Sequence, residues 1–356
     1  HRDLHSFPTR RSSDLDTLEH VIFSGFSHKP AIDLSKRLIA LTPDNLQKVF
    51  FADNGSSAVE IALKMAFQYN KNNNKIKKYF VSLENSYHGE SIGTLSISDL
   101  GLYKEIYKEI LLSSIHAKSP SLVSEDEAIK DMEDIFQKQG NEISAVIIEP
   151  LVQCAGSMKM YKPSYLKKLR VLCDKYDIFL IADEVAVGFG RTGSMFAFSQ
   201  ANIEVDFLCL SKGITAGYLP LSVVLFSDDV YKAFYHDYNQ GKSFLDSHSY
   251  TGNTLACAIA NGVLDIFENE NIIESNQDKI KLMDKLGAKY KSLKRVKEIR
   301  QQGMIFAIEL QDYNKSKRIN LYILKEALKV GIFIRPLTNT IYFMPPYTIT
   351  NEQIIY

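Results

Sequence analysis

Three apolar runs in this chain are unbroken by polar side chains, and each stops at residues able to do chemistry. Ala145–Ile148 ends in Glu149, Ile178–Ala182 ends in Asp183 and Glu184, and Phe207–Leu210 ends in Ser211 and Lys212. A strand with one wet face alternates apolar and polar residues, whereas an unbroken run calls for cover on both faces. A helical pattern from Pro163 to about Tyr176 follows the first run. Strand, polar tail and helix in repetition predict an α/β fold, a mostly parallel mixed sheet sandwiched by helices. Such sheets bind ligands at the carboxyl ends of their strands. An acid, Asp183, and an amine, Lys212, are therefore expected side by side at that end.

That pairing has a specific use. A lysine amine condenses with an aldehyde, and a carboxylate holds a protonated pyridine nitrogen; pyridoxal phosphate needs both. A lone strand-end Asp or Lys is usually a solvated loop charge, but the two in this order, joined by a turn rich in glycine (Gly188, Gly190, Gly193), reverse that balance. The segments DEVAVGFGRTG and LSKGITAGY resemble the core signatures of the class III, ornithine-type aminotransferases of fold-type I. The resemblance implies that pyridoxal phosphate is the cofactor, that Lys212 binds it covalently, that Asp183 partners its ring nitrogen and that Val185 packs on one ring face. It also implies a smaller α+β domain at the C-terminal end.

The 356 residues suffice for two domains, and 45% hydrophobic with 24% charged residues is an ordinary globular composition. Lys plus Arg equals Asp plus Glu at 42 each, so no general attraction to nucleic acid or an anionic membrane is expected. The cysteines Cys154, Cys173, Cys209 and Cys257 form no CxxC pair and lie in apolar patterns, which suggests reduced packing residues in a cytoplasmic protein. The eight histidines show no metal-ligand spacing, and no metal is expected. Residues 1–15 have no apolar period, and His5–Leu15 resembles the conceptual translation of a sequencing adapter. They are set aside as a tail, leaving 16–270 as a large cofactor domain and 271–356 as the small domain.

Along the chain, Lys48–Ala52 reads as a strand feeding Asp53-Asn54-Gly55-Ser56-Ser57 and a helix from Ala58 to about Tyr69. A glycine turn at a helix start exposes unpaired N–H groups that suit a phosphate. Ser57 and Glu60 also have capping-box spacing, which needs no ligand. The family resemblance makes Gly55, Ser56 and Ser57 a phosphate cup. A second strand, Tyr79–Leu83, leads to Tyr87-His88-Gly89; by resemblance Tyr87 stacks on the cofactor ring, His88 accompanies it, and Glu149 is an acid beside the site. Residues 99–142 read as a peripheral, mainly helical excursion. In the block Asp246–Asn253 the resemblance gives a hydroxyl that reaches the cofactor phosphate of a neighbouring subunit, Ser249 with Thr251 competing, and hence a homodimer with shared active sites. Ser247 is a substrate-site candidate.

The pattern after about Glu274 predicts strands between Val296 and Leu310, a helix over Leu321–Val330, and strands at Ile332–Ile334 and Ile341–Phe343. Arg335 and Tyr342 sit at the expected mouth, where a guanidinium is a natural clamp for a carboxylate. The resemblance also implies that the usual N-terminal beginning and the closing C-terminal helix are missing. LEHVIFSGFSHKPAI, VQCAGSMKMY and RPLTNTIYFMPPY look most like the biotin-pathway branch of the family, in which a keto acid accepts the amino group from S-adenosylmethionine. The HSYTGN phrase is also like relatives that use lysine as donor. Other readings are a different ω-amino-acid aminotransferase and a non-catalytic cofactor-binding fragment. A dinucleotide dehydrogenase is disfavoured, because the first strand–helix turn reads DNGSSA where G-x-G-x-x-G is required.

Overall fold

The structure, a computed structural model, describes residues 18–311 and 318–356. The tail assigned to residues 1–15 lies outside the described residues.

Seven strands form the main sheet: β1 (Lys48–Ala52), β2 (Tyr79–Leu83), β3 (Ile115–Ala117), β4 (Ile143–Ile148), β7 (Phe179–Asp183), β8 (Phe207–Leu210) and β9 (Ser222–Phe226). Their order is β1-β9-β8-β7-β4-β2-β3. The run from β8 to β3 is parallel, and β9 is antiparallel to both of its neighbours, β8 and β1. Every residue of β4, β8 and β9 is buried, as the unbroken apolar runs require. Alternate side chains enter opposite cores. Val146, Ile148, Leu180, Leu208 and Leu210 pack on one face. Ala145, Ile147, Ile181, Phe207 and Cys209 pack on the other.

The Gly55–Asn72 helix covers the second face with Ala58, Ile61, Ala62 and Met65. The first face is covered by the helices Lys29–Ala40, Glu125–Gln139, Pro163–Lys175 and Thr254–Asn269, which contribute Leu34, Phe136, Leu169 and Leu264. A side-chain pair closed on both faces leaves the strand ends as the only polar part of the sheet, and the chemistry collects there. All four cysteines are free and buried.

A second sheet of three antiparallel strands, β10 (Val296–Gln302), β11 (Ile305–Leu310) and β12 (Thr340–Phe343), packs with the helices Gln277–Gly287 and Ile319–Lys329. A two-stranded hairpin, β5 (Val152–Gln153) with β6 (Lys159–Met160), stands between the sheets.

Three local expectations need correction. The helix after β1 begins at Gly55, and its cap is Asn54, whose side chain accepts the Ser57 N–H at 3.0 Å. Glu60 closes no box with Ser57; it accepts from the Ser91 hydroxyl and the Gly93 N–H instead. The excursion over 99–142 is not only helical, because β3 joins β2 at the sheet edge. Ile332–Ile334 is not a strand. Pro336 supplies no N–H, and the chain turns at Thr338 (φ 49°) through a Leu337–Thr340 bridge, so β12 alone reaches β11.

Candidate active site

A cleft of about 510 Å³ opens at the carboxyl ends of the parallel strands. Its lining includes Gly55 and Ser56 after β1, Tyr87 and His88 after β2, and Glu149, Cys154 and Ala155 after β4. Asp183 and Val185 after β7, and Ser211 and Lys212 after β8, complete it. The β7–β8 register pairs Asp183 with Cys209, so Lys212 emerges three residues beyond the strand partner of Asp183.

Asp183 is held from two sides. One carboxylate oxygen lies 2.8 Å from His88 Nδ1, and the other accepts the Val185 N–H at 3.1 Å. Both residues are buried, so the carboxylate plane is fixed toward the cleft. His88 Nε2 has no partner among the described residues. Glu149 ties two loops together, accepting the Tyr87 N–H and the Cys154 N–H, each at 3.0 Å. Burial raises its pKa to about 7, against the nearby His88, which favours the charged form. The Tyr87 hydroxyl donates to Glu90 at 2.9 Å, and burial holds the phenol well above its ordinary range.

Lys212 is different from these neighbours. Its amine has no hydrogen bond or ion pair among the described residues, and its backbone is left-handed at φ 41°. A non-glycine residue in that region is strained and persists only where its surroundings demand it. The strain turns the chain sharply after β8 at a position where an unengaged amine faces the cleft.

The start of the Gly55–Asn72 helix offers an anion seat. Asn54 takes the Ser57 N–H with its side chain and the Ala58 N–H with its carbonyl, so the N–H groups of Gly55 and Ser56 have no partner among the described residues. Gly55 lies so close to Val185 that an added Cβ would stand 2.7 Å from Val185 Cγ1. At Gly89, φ 132°, a Cβ would fall 2.2 Å from Ser56 Oγ. Close backbone approach beside free amides suits a phosphate, and the lining as a whole fits pyridoxal phosphate.

Ser57 does not line the cleft, because its N–H is spent on the cap. Ser247, Ser249 and Thr251 line a separate recess with Phe23 and Phe50. There Thr251 is buried and its hydroxyl accepts the His248 N–H, whereas Ser249 is exposed. Arg335 is exposed and forms no ion pair among the described residues, and Tyr342 borders an apolar recess of the small sheet. Burial raises the Tyr342 phenol, Arg335 opposes that rise and Cys154 adds to it, which puts the two near the cleft wall without lining it. Asn54 and Cys154 were missed as site residues. The signal for Asn54 was present, since asparagine is among the best N-caps.

An open parallel sheet with a strained lysine and a fixed aspartate at neighbouring strand ends defines a fold-type I transferase. The class III aminotransferase family model matches residues 12–355, and the chain belongs to that family, which is pyridoxal-phosphate dependent. An adenosylmethionine-8-amino-7-oxononanoate aminotransferase of Helicobacter pylori is 49% identical over 349 residues, covering 96% of this chain and 79% of the relative. A crystal structure of the enzyme of that name from Methanocaldococcus jannaschii superposes with a TM-score of 0.93 at 35% identity, covering 97% of this chain and 81% of the other. An amine transaminase from an uncultivated Pseudomonas species, in its pyridoxal-phosphate-bound form, gives 0.91 at 31% identity, covering 97% and 82%.

Proposed function

We propose that this chain transfers an amino group to 8-amino-7-oxononanoate, giving 7,8-diaminononanoate in biotin biosynthesis, with S-adenosylmethionine as donor. The observation that carries the reading is the unpaired Lys212 amine, in strained backbone, sharing one cleft with the doubly hydrogen-bonded Asp183. The relatives' shared name supports the substrates.

Lys212 would hold pyridoxal phosphate covalently, Asp183 its ring nitrogen, Gly55 and Ser56 its phosphate, and Tyr87 and Val185 the two faces of its ring. When bound, the cofactor supplies an electrophilic carbon and a ring that withdraws electrons from the reacting bond. Lys212 is the amine that lines the cleft, so once released it takes a proton from the donor's amino-bearing carbon and later returns one to the acceptor. The His88 and Val185 contacts keep the Asp183 carboxylate aimed at one point during both halves. Glu149 holds the Tyr87 and Cys154 loops at a fixed separation, which sets the cleft width. Arg335, exposed and without a partner, is the clamp for the keto-acid carboxylate, with Tyr342 beside it and Ser247 assigned to the substrate site.

Two chains complete each site in this reading. Ser249 stands outside its own cleft with an exposed hydroxyl, as a ligand donated to a partner must, while Thr251 is committed to its own turn. Residues 16–270 act as the cofactor domain and 271–356 as the substrate-closing domain. Four free, buried cysteines suit a cytoplasmic location. Among the described residues no helix is long and apolar enough to cross a membrane.

The deciding experiment adds pyridoxal phosphate to the wild type and to Lys212→Ala, followed by borohydride reduction and peptide mapping. Reduced cofactor on Lys212, absent from the variant, is expected. Equal labelling of another lysine refutes the assignment. Single-turnover amino transfer from S-adenosylmethionine, compared with lysine, then fixes the donor.

A further inference from the structure

The turn between β5 and β6 carries two cleft-lining residues, Cys154 and Ala155, and is bent in a way its own sequence does not favour. Ser157 and Met158 are both left-handed, at φ 65° and 53°. Two successive non-glycine residues in that conformation cost on the order of 1–2 kcal/mol each, so something outside the turn must hold it.

Arg300 on β10 meets that requirement. Its guanidinium donates from Nε to the Met158 carbonyl at 3.0 Å and from Nη2 to the Ser157 carbonyl at 2.9 Å. Nη1 donates to Glu309 at 2.6 Å and also contacts Glu298. Arg300 and Glu309 are both 6% exposed at the side chain, and Lys159 on β6 joins the same carboxylate at 2.7 Å. The planar fork satisfies two carbonyls that point the same way only because the two residues are left-handed.

From the opposite side the turn is pinned by Asn85. Its side-chain amide donates to the Gly156 carbonyl at 2.8 Å, and a Cβ on Gly156 would fall 2.3 Å from that amide nitrogen. Asn85 is itself left-handed at φ 62° and leads into Tyr87 and His88. The turn is thus clamped between the loop that bears the site's ring-stacking tyrosine and the small sheet that bears Arg335.

We propose that Arg300 is a positioning residue: through the Ser157 and Met158 carbonyls it sets the place of the Cys154–Ala155 cleft wall. Arg300 does not line the cleft and acts only through that turn. The inference rests on the cleft being the active site, but its main readout is independent of any reaction. Cys154 is buried in the wall, and Cys173, Cys209 and Cys257 are buried elsewhere, so alkylation by iodoacetamide, followed by mass spectrometry of each cysteine, reports the turn with three internal controls.

Lysine at position 300 keeps the charge opposite Glu309 and loses the fork. Arg300→Lys is expected to speed Cys154 alkylation by about tenfold, the loss of roughly one charge-assisted hydrogen bond, with the other three cysteines unchanged. Lys297→Ala removes a half-exposed member of the same charge cluster that does not touch the turn, and is expected to leave Cys154 at the wild-type rate. In the same Arg300→Lys protein, KM for the keto acid should rise more than kcat falls, with cofactor absorbance intact. Unchanged Cys154 labelling in Arg300→Lys overturns the proposal, and so does a parallel rise at all four cysteines, which marks general loss of stability. Selective Cys154 exposure without detectable transamination upholds the clamp and counts against the reaction instead.

Discussion

Replacing Glu184 by glutamine tests whether the chain folds around a protonated carboxyl beneath its cleft. Glu184 is 0% exposed, one oxygen accepts the Phe198 N–H at 2.8 Å, and the other has no partner among the described residues. Burial raises its pKa from 4.5 to about 8, against the backbone donors at Ala197 and Phe198 that favour the charged form. Between those two values the folded chain binds the proton and the unfolded chain does not. Stability must therefore fall as pH rises through that window, being fully present below about pH 4.5 and fully lost above about pH 8. One proton gives a slope of about 1.4 kcal/mol per pH unit, and relaxation of the site with entry of water lowers the measured value to roughly 1 kcal/mol. Glutamine keeps an oxygen for Phe198 and has no proton to lose. Urea unfolding of both proteins at unit steps from about pH 5 to pH 8 should then show the variant gaining on the wild type by about 1 kcal/mol per step. The extra amide hydrogens shift the whole curve but not its slope. Glu149, raised to about 7, is present in both proteins and cancels in the difference. A difference flat with pH, or one of opposite sign, refutes the reasoning.

Asp183→Asn should retain cofactor while losing most transamination, because a neutral amide cannot keep the ring nitrogen protonated; single-turnover rates equal to the wild type would remove Asp183 from its role. Gly55→Ala should weaken cofactor binding with little change in unfolding, since the new Cβ stands 2.7 Å from Val185 Cγ1, and an unchanged cofactor Kd by absorbance titration contradicts that. Arg335→Ala should cost on the order of 2–5 kcal/mol in the keto-acid half-reaction; loss confined to the donor half-reaction would show that the clamp holds the other substrate. Mixed dimers of Lys212→Ala and Ser249→Ala protomers should contain one intact site, so co-refolding restores activity absent from either variant alone at low cofactor. No gain over the separate proteins would place Ser249 outside the shared site.

Much of this was legible in the residue order. An unbroken run such as Val146-Ile147-Ile148 can only be a strand covered on both faces, and whatever follows it must emerge at one edge of the sheet; Glu149, Asp183 and Lys212 are positioned by that rule before any contact is known. Tyr87 and Val185 needed the family resemblance as well, because an isolated tyrosine in a loop carries no signal of stacking. Ser57 misled for a local reason. Its spacing to Glu60 satisfies a capping box, but Asn54 three residues earlier is an equally good cap and starts the helix sooner.

What the sequence determined by itself is therefore what depends on period and on neighbours along the chain: the α/β class, the strands, and the acid and amine at their ends. Tertiary structure alone decided which polar groups have partners. His88 on Asp183, Glu149 between two loops, the solitary acid oxygen of Glu184, and Arg300 holding a left-handed turn 143 residues away each join positions distant in sequence. Hydrogen bonds and burial act through space, so no pattern of neighbours along the chain can specify them.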